Sequence, residues 1–219
     1  VAAKYKEGNM LNVDVIQDQA QAERGSIDDT AINQLFDNAR TYRDWWPTPV
    51  PSSTLKELYR LAALGPTSAN CSPLRVMFVC SEDAKARLLP LVDKGNRAST
   101  SSAPVTAILA YDLRFYDQLI HLYPHQATAA SWFNRSDTLI ERTALQNSSL
   151  QGGYFVLAAR ALGLDCGPMG GFDAEAIAKE FFPDGSCRVN FLCNLGNGRD
   201  TSGYERLPRL DFMQACELV

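Results

Sequence analysis

The chain has 219 residues, 46% of them hydrophobic and 21% charged, with a formal net charge of −4. That length allows one domain with a sizeable core, and the acidic balance, without any run of Lys or Arg, argues against a nucleic-acid or anionic-membrane partner. No segment approaches the roughly 18–20 uninterrupted apolar residues that a membrane-spanning helix needs.

Residues 1–25 are polar, aperiodic and rich in Gln, Asp and Ala, and read as an arm without its own core, ahead of a domain over 26–219. The arm lacks the apolar stretch of a signal peptide, so the expected location is cytoplasmic. Ser26 and Asp29 have capping-box spacing and predict a helix through AINQLFDNAR, with Ile32, Leu35 and Phe36 on one face. Pro47, Pro49 and Pro51 then forbid regular structure. Thr54 with Glu57 forms a second capping signal, opening a helix whose apolar stripe is Leu55, Leu58, Leu61 and Ala62.

The loop GPTSANCSP (65–73) follows, and then RVMFVC, a short β-rich run. Ser81 opens another helix with Leu88, Leu89 and Val92 facing inward, and PVTAILAYD is the second strand. Residues 113–135 are aromatic-rich, with helical turns expected. The longest helical pattern, SDTLIERTALQNSSLQGGYFVLAARALGL, ends with Gly163 in the position of a C′ residue. Its centre has small residues at helical spacing: Ser148, Ser149, Gly152, Gly153 and Ala159. Glycine inside a helix costs about 1 kcal/mol against Ala, so the close approach of another backbone is expected, in the core or across a subunit interface. An ordinary core helix with two tolerated glycines would give the same spacing. Asp173 is placed to cap AEAIAKEFF, and RVNFLCNLG is the third strand. Strands separated by helices point to α/β or α+β layering.

The candidate chemistry is spread along the chain. GPTSANCSP is short, uncharged and able to hydrogen-bond, which a plain surface turn rarely requires. GLDCGPMGGF (163–172) follows a helix, so it lacks the strand, G-x-G-x-x-G, helix order of a dinucleotide-binding turn. Its glycines at 167, 170 and 171 would instead let a flat ligand reach the main chain. Arg40, Thr41 and Arg43 close the first helical pattern, where a helix dipole alone attracts cations. Arg206 and Arg209 form a second pair, and guanidinium forks from both pairs suit one phosphate.

Other chemistries have little support. His121 and His125 are separated by Pro124 and lack a carboxylate-rich partner motif, so no metal site is expected. The six cysteines contain no C-x-x-C pair and read as reduced, mostly buried thiols. Cys71 lies in the polar loop, a nucleophile only if some base is positioned beside it. No G-x-S-x-G elbow is present.

Taken in order, R-T-x-R at 40–43, P-T-S-A-N at 66–70, A-P-V-T-A at 103–107, G-L-D-C-G-P-M-G-G-F-D at 163–173 and N-F-L-C-N-L-G at 190–196 resemble the nitroreductase family of flavin enzymes. Within it, GPTSANCSP, AYDLRFYDQLIHLYPH, SLQGGYFVLAARALGLDCGPM and the R-x-x-R-L ending look most like the malonic semialdehyde reductase branch of pyrimidine catabolism. The resemblance implies an α+β homodimer: a central, mainly antiparallel sheet flanked by helices, a long buried helix at the dimer interface, and FMN between the subunits.

Under that resemblance Arg40, Thr41 and Arg43 would meet the phosphate and ribityl chain, with Arg206 and Arg209 completing the phosphate cage. Pro66, Thr67, Ser68 and Asn70 would reach the flavin from the partner subunit. Pro168, Met169, Gly170 and Gly171 would line the isoalloxazine, with Asn96 near the ring. No protein nucleophile or metal is implied. NADH or NADPH would pass hydride to flavin N5, and malonic semialdehyde would then accept it in ping-pong fashion, giving 3-hydroxypropionate. A nitroaromatic, quinone or enone acceptor, and a non-catalytic FMN-binding or storage protein, are the alternatives. Two departures stand out. Ser72-Pro73-Leu74 replaces the common Q-P-W, and Ser99 stands where relatives often carry a Lys near the flavin pyrimidine. Loss of that cation would stabilise the reduced, anionic flavin less. Tyr111, Phe115, Tyr116, Tyr123, Trp132 and Phe133 would form either a lid or part of the core, and Arg114 or Arg135 could pair with a carboxylate substrate.

Overall fold

Val105–Asp112 is apolar on both of its faces because both are covered. In the computed structural model, which describes residues 25–199 and 205–219, this segment is β2, an inner strand of a four-stranded sheet. It pairs on one side with β1 (Leu74–Val79) and on the other with β4 (Cys187–Gly196). Beyond β4 lies β3 (Asp165–Met169), so the order is β1-β2-β4-β3 with every pairing antiparallel. The expected α+β architecture is therefore present. The arm predicted over 1–25 lies outside the described residues apart from Gly25.

Two helical layers sandwich the sheet. Val105, Ala107, Leu109, Cys193 and Leu195 pack against α2 (Ser52–Ala62) and the 25-residue α6 (Asp137–Ala161), through Leu55, Leu58, Phe155 and Ala159. On the opposite face Ile108, Val189 and Leu192 meet Leu88 of α3 (Glu82–Leu88) and Ile177 and Phe181 of α7 (Ala174–Phe181). The shorter helices are α1 (Asp29–Ile32), α4 (Lys94–Ser102), α5 (Leu119–Leu122) and α8 (Phe212–Ala215).

Ser81 and Asp173 cap as expected, accepting from the N–H groups of Ala84 and Ala176. The two capping boxes read from sequence do not form. The α1 cap is Asp28 rather than Ser26, its carboxylate accepting from the Ala31 N–H at 2.8 Å. The helix then widens into a π turn over Asn33–Asp37, which takes Phe36 off the predicted face and leaves it 48% exposed. At α2, extended Pro51 sets the start at Ser52, ahead of Thr54, and Glu57 instead pairs with Arg60 at 2.7 Å.

The sequence pattern also missed β3, since glycine and proline are strand breakers in the interior of a sheet. At an edge they are tolerated, because the N–H that Pro168 lacks is not needed by a further strand. The glycines of α6 differ from expectation too. A Cβ on Gly152 would lie 2.7 Å from the Phe191 ring, so a side chain of β4, not a backbone, makes the close approach. Gly153 has nothing within 4 Å.

Gly167 is the tightest point of β3. A Cβ there would stand 2.6 Å from the Tyr42 carbonyl oxygen and 2.9 Å from the Trp45 ring. Gly167→Ala should therefore cost about 1–3 kcal/mol, as overpacking does, and push residues 42–45 off the strand. Urea unfolding measures this, and an unchanged midpoint would show that the segment can give way.

Candidate functional site at the free edge of the sheet

The outer edge of β3 would expose unpaired backbone groups, and residues 41–46 cover part of it. The Tyr42 N–H donates to the Cys166 carbonyl at 3.0 Å, and Thr41 forms a parallel bridge with Cys166. Trp45 bridges to Gly198, and the Trp46 N–H donates to the Asn197 carbonyl at 2.8 Å. Arg40, Thr41 and Arg43 thus belong to an extended segment, not to the last turn of a helix as their spacing suggested. The Arg206 guanidinium donates to the carbonyls of Phe36, Asp37 and Ala39 at 3.0, 2.6 and 2.9 Å, which brings it beside Arg40. Arg209 is exposed and donates to the Leu207 and Pro208 carbonyls.

The far end of β3 carries the second group of predicted residues. Pro168 and Gly170 are exposed, and a Cβ on Gly170 would meet nothing within 4 Å. The Gly171 carbonyl accepts from Asn96 Nδ2 and from the Asp93 N–H, both at 3.1 Å. Thr100 donates its hydroxyl to Met169 Sδ at 3.6 Å. Asn96 and Pro168–Gly171 are therefore assembled together, at the end of the strand whose start meets Thr41. From Cys166 to Gly171 is five residues, roughly 16 Å of extended chain.

Under this strip lies a polar network that the sequence did not reveal. Trp45, 2% exposed, donates its indole N–H to Ser99 Oγ at 3.2 Å, and Asn194 Nδ2 donates to the same oxygen at 3.2 Å. Buried Thr106 donates to Asn194 Oδ1 at 2.7 Å. Ser99 acts as an acceptor here, which a Lys could not do.

GPTSANCSP is not part of this strip within one chain. It leads into β1, at the opposite edge of the sheet, three strand spacings or about 14 Å away. Ala69, Asn70 and Ser72 all have left-handed φ, at 47°, 52° and 40°, which is costly without glycine. The Thr67 hydroxyl oxygen accepts from the Ser72 N–H at 3.1 Å, and Asn70 Nδ2 donates to the Leu122 carbonyl at 2.8 Å. Pro66 and Ser68 are exposed. Cys71 is buried, and burial pushes its thiol up to about 11, which disfavours the thiolate that a nucleophile needs.

The aromatic segment 113–135 serves partly as core. Phe115 is fully buried and packs with Tyr111 and Ala144, whereas Trp132 is 39% exposed. His125 packs on Tyr123 at 3.9 Å between ring centroids with the rings tilted by 55°, and no group of potential metal ligands occurs among the described residues. Arg114 pairs with Asp184 at 3.7 Å and Arg135 donates to the Ser131 carbonyl, both at the surface. No helix among the described residues is long and apolar enough to cross a membrane.

Residues 37–196 match the model of the nitroreductase family. A Polynucleobacter asymbioticus protein that carries the provisional name NADH dehydrogenase/NAD(P)H nitroreductase is 52% identical over 193 residues, covering 88% of this chain and 98% of the relative. A similarly named Ralstonia nicotianae protein is 49% identical over 194 residues, covering 89% and 99%. Among solved structures, a provisionally named nitroreductase from Exiguobacterium sibiricum in complex with FMN superposes with a TM-score of 0.79 at 23% identity, over 90% of this chain and 99% of that one.

Asp165 locks the strip from below, accepting the Gly198 N–H at 2.8 Å. Burial holds its carboxyl above the ordinary value of 3.8, against the lowering effects of the Gly198 N–H and the Arg160 guanidinium. A carboxyl raised in the folded state stabilises the fold below the unfolded value, and that contribution is lost as pH rises through the folded value. Stability of the wild type relative to Asp165→Asn should therefore fall from acid towards neutral pH. Denaturant midpoints measure it; a relative stability that rises with pH would reverse the assignment.

Proposed function

The chain belongs to the nitroreductase family, and we propose that it is an FMN-dependent NAD(P)H oxidoreductase whose acceptor is a small aldehyde acid, malonic semialdehyde. One observation carries the cofactor reading. The Tyr42–Cys166 hydrogen bond lays Arg40–Arg43 along β3, with Arg206 beside them, while the backbone just past the same strand is open at Gly170. Cations at one end and an open surface over Gly170 at the other fit a phosphate joined through a ribityl chain to a flat ring. The free space over Gly170 and the amide of Asn96 suit the ring, and the guanidinium groups suit the phosphate.

Bound FMN supplies the hydride transfer between reduced nicotinamide and acceptor. The chain's task is to hold the phosphate through Arg40, Arg43, Arg206 and Arg209, to keep the ring face open at Gly170, and to present Asn96 to its edge. Ser99 offers no cation there, and Asn96 with the neighbouring backbone would face the ring edge instead. The small residues of GPTSANCSP and the Ser72-Pro73-Leu74 ending support the aldehyde-acid branch. The relatives' names favour a broader acceptor range, including nitroaromatics.

The topology supports a homodimer. The loop and the arginine strip lie at opposite edges of one sheet, so a site using both would draw them from two chains. Leu145, Leu150 and Tyr154 of α6, 41–48% exposed, and Leu207, Leu210 and Met213 of the tail, 70–83% exposed, offer apolar surface for that contact. The thiols, all free among the described cysteines, agree with a cytoplasmic site of action.

Protein incubated with FMN and desalted should keep a flavin spectrum that NADH or NADPH bleaches anaerobically. Arg40→Ala and Arg209→Ala should each weaken retention by tenfold or so, the loss of one charge-assisted phosphate contact. Wild-type flavin content in both would remove the phosphate assignment, and NAD(P)H consumption no faster than that of free flavin would indicate a binder. For the acceptor, kcat/KM should be higher for malonic semialdehyde than for 4-nitrobenzoate or menadione; the reverse order would make the protein a general reductase.

A further inference from the structure

We propose that Asn147 and Gln151, buried on α6, are positioning residues that clamp the two ends of the 68–74 loop and so hold the flavin-facing wall in its strained shape. The inference rests on the flavin reading above. Asn147 and Gln151 are 1% and 2% exposed and lie four residues apart, on one face of the helix. Asn147 Oδ1 accepts the Ser68 N–H at 2.8 Å, and Gln151 Oε1 accepts the Leu74 N–H at 3.1 Å. The Asn147 amide is oriented by its own nitrogen, which donates to the Thr143 carbonyl at 2.8 Å, so its oxygen is the atom left to face the loop. Two buried polar side chains in an otherwise packed helix need partners, and both find them in one short loop.

What lies between the clamped ends explains the need. Ala69, Asn70 and Ser72 hold left-handed φ values of 47°, 52° and 40°. Each is unfavourable for a residue with a Cβ, and such conformations persist only where the surroundings over-determine them. Within the loop the Thr67 hydroxyl and the Asn70 amide add local bonds, at 3.1 and 2.8 Å. The two bonds from α6 fix the loop to the core. Without them the left-handed residues relax, and a ligand that fits the strained shape must restore it on binding. Its apparent Kd then rises by the inverse of the clamped fraction, with little change in the step that follows binding.

The test compares Asn147→Leu and Gln151→Met with the oxygen-retaining Asn147→Asp and Gln151→Glu. Asn190→Ala is the control, since Asn190 bonds Ser148 and Ser149 of the same helix without touching the loop. FMN affinity is read by flavin fluorescence, and amide exchange at Ser68 and Leu74 is read in the flavin-free protein. Loss of either acceptor should raise the Kd for FMN about tenfold, with kcat at saturating FMN within about twofold of wild type and faster exchange at the released amide. The oxygen-retaining variants should recover part of the affinity, and Asn190→Ala should change neither readout. Wild-type FMN affinity in both acceptor-lacking variants would overturn the inference while leaving the flavin reading intact. A wild-type protein that holds no flavin would overturn that reading and the inference with it. If the acceptor-lacking variants do not fold, fast exchange of Ser68 and Leu74 in the wild type overturns the clamp, and slow exchange in the loop supports it.

Discussion

An outer strand with unpaired backbone is the constraint on which this structure turns. β3 ends the sheet, and something must lie against its free N–H and C=O groups or leave them to solvent and to other chains. Residues 41–46 do so only in part, meeting Cys166 at the start of the strand and Gly198 beyond β4. Gly167 makes the contact possible, because nothing larger fits under the Tyr42 carbonyl. The remainder of the strand, from Pro168 onward, keeps an open flank. The same arrangement thus lines up the arginines at one end and leaves bare backbone at the other.

The network beneath that strip shows how the sheet's interior serves its edge. Trp45 is anchored by Ser99, Ser99 is shared with Asn194, and Asn194 is held by Thr106 in β2. Each member is satisfied by the next, so the buried polar groups do not carry the penalty of unpaired ones and define one position for Trp45. A lysine at 99 would bring charge to the site but would break the acceptor that fixes this tryptophan.

Legibility in the sequence followed the strength of local signals. The strands β1, β2 and β4 and the long helix α6 were evident, since their apolar runs and periodicity reflect burial directly. β3 was not, because a five-residue edge strand containing Gly167 and Pro168 owes its conformation to pairing with β4 and not to propensity. The capping boxes at Ser26 and Thr54 failed for a related reason: Asp28 and Pro51 offered better local starts. At the candidate site, the arginines and the glycines of 163–172 drew attention by charge and by backbone freedom, whereas Thr41, Asn96, Pro168 and Met169 were singled out only through the resemblance to a family. Asn147 and Gln151 left a faint trace, two amides four residues apart in an apolar helix. Trp45, Ser99 and Asn194 left none, since they meet across 54 and 95 residues of sequence.

Separation of the two half-sites carries the last step. The strained loop is built on α6 and the first edge strand, while the arginine strip is built on the last edge strand. Strand order fixes that distance, and no local rearrangement of either element closes it without unpairing the sheet. A ligand contacting both would be held between rigid surfaces of two molecules, so its binding and the association of the chains would stabilise one another by linkage. The strain in the loop then has a physical rationale. In the proposed dimer, a wall facing a second molecule would not be shaped by contacts with its own strip, and would have to be held from behind, by its own helix, before the partner arrives.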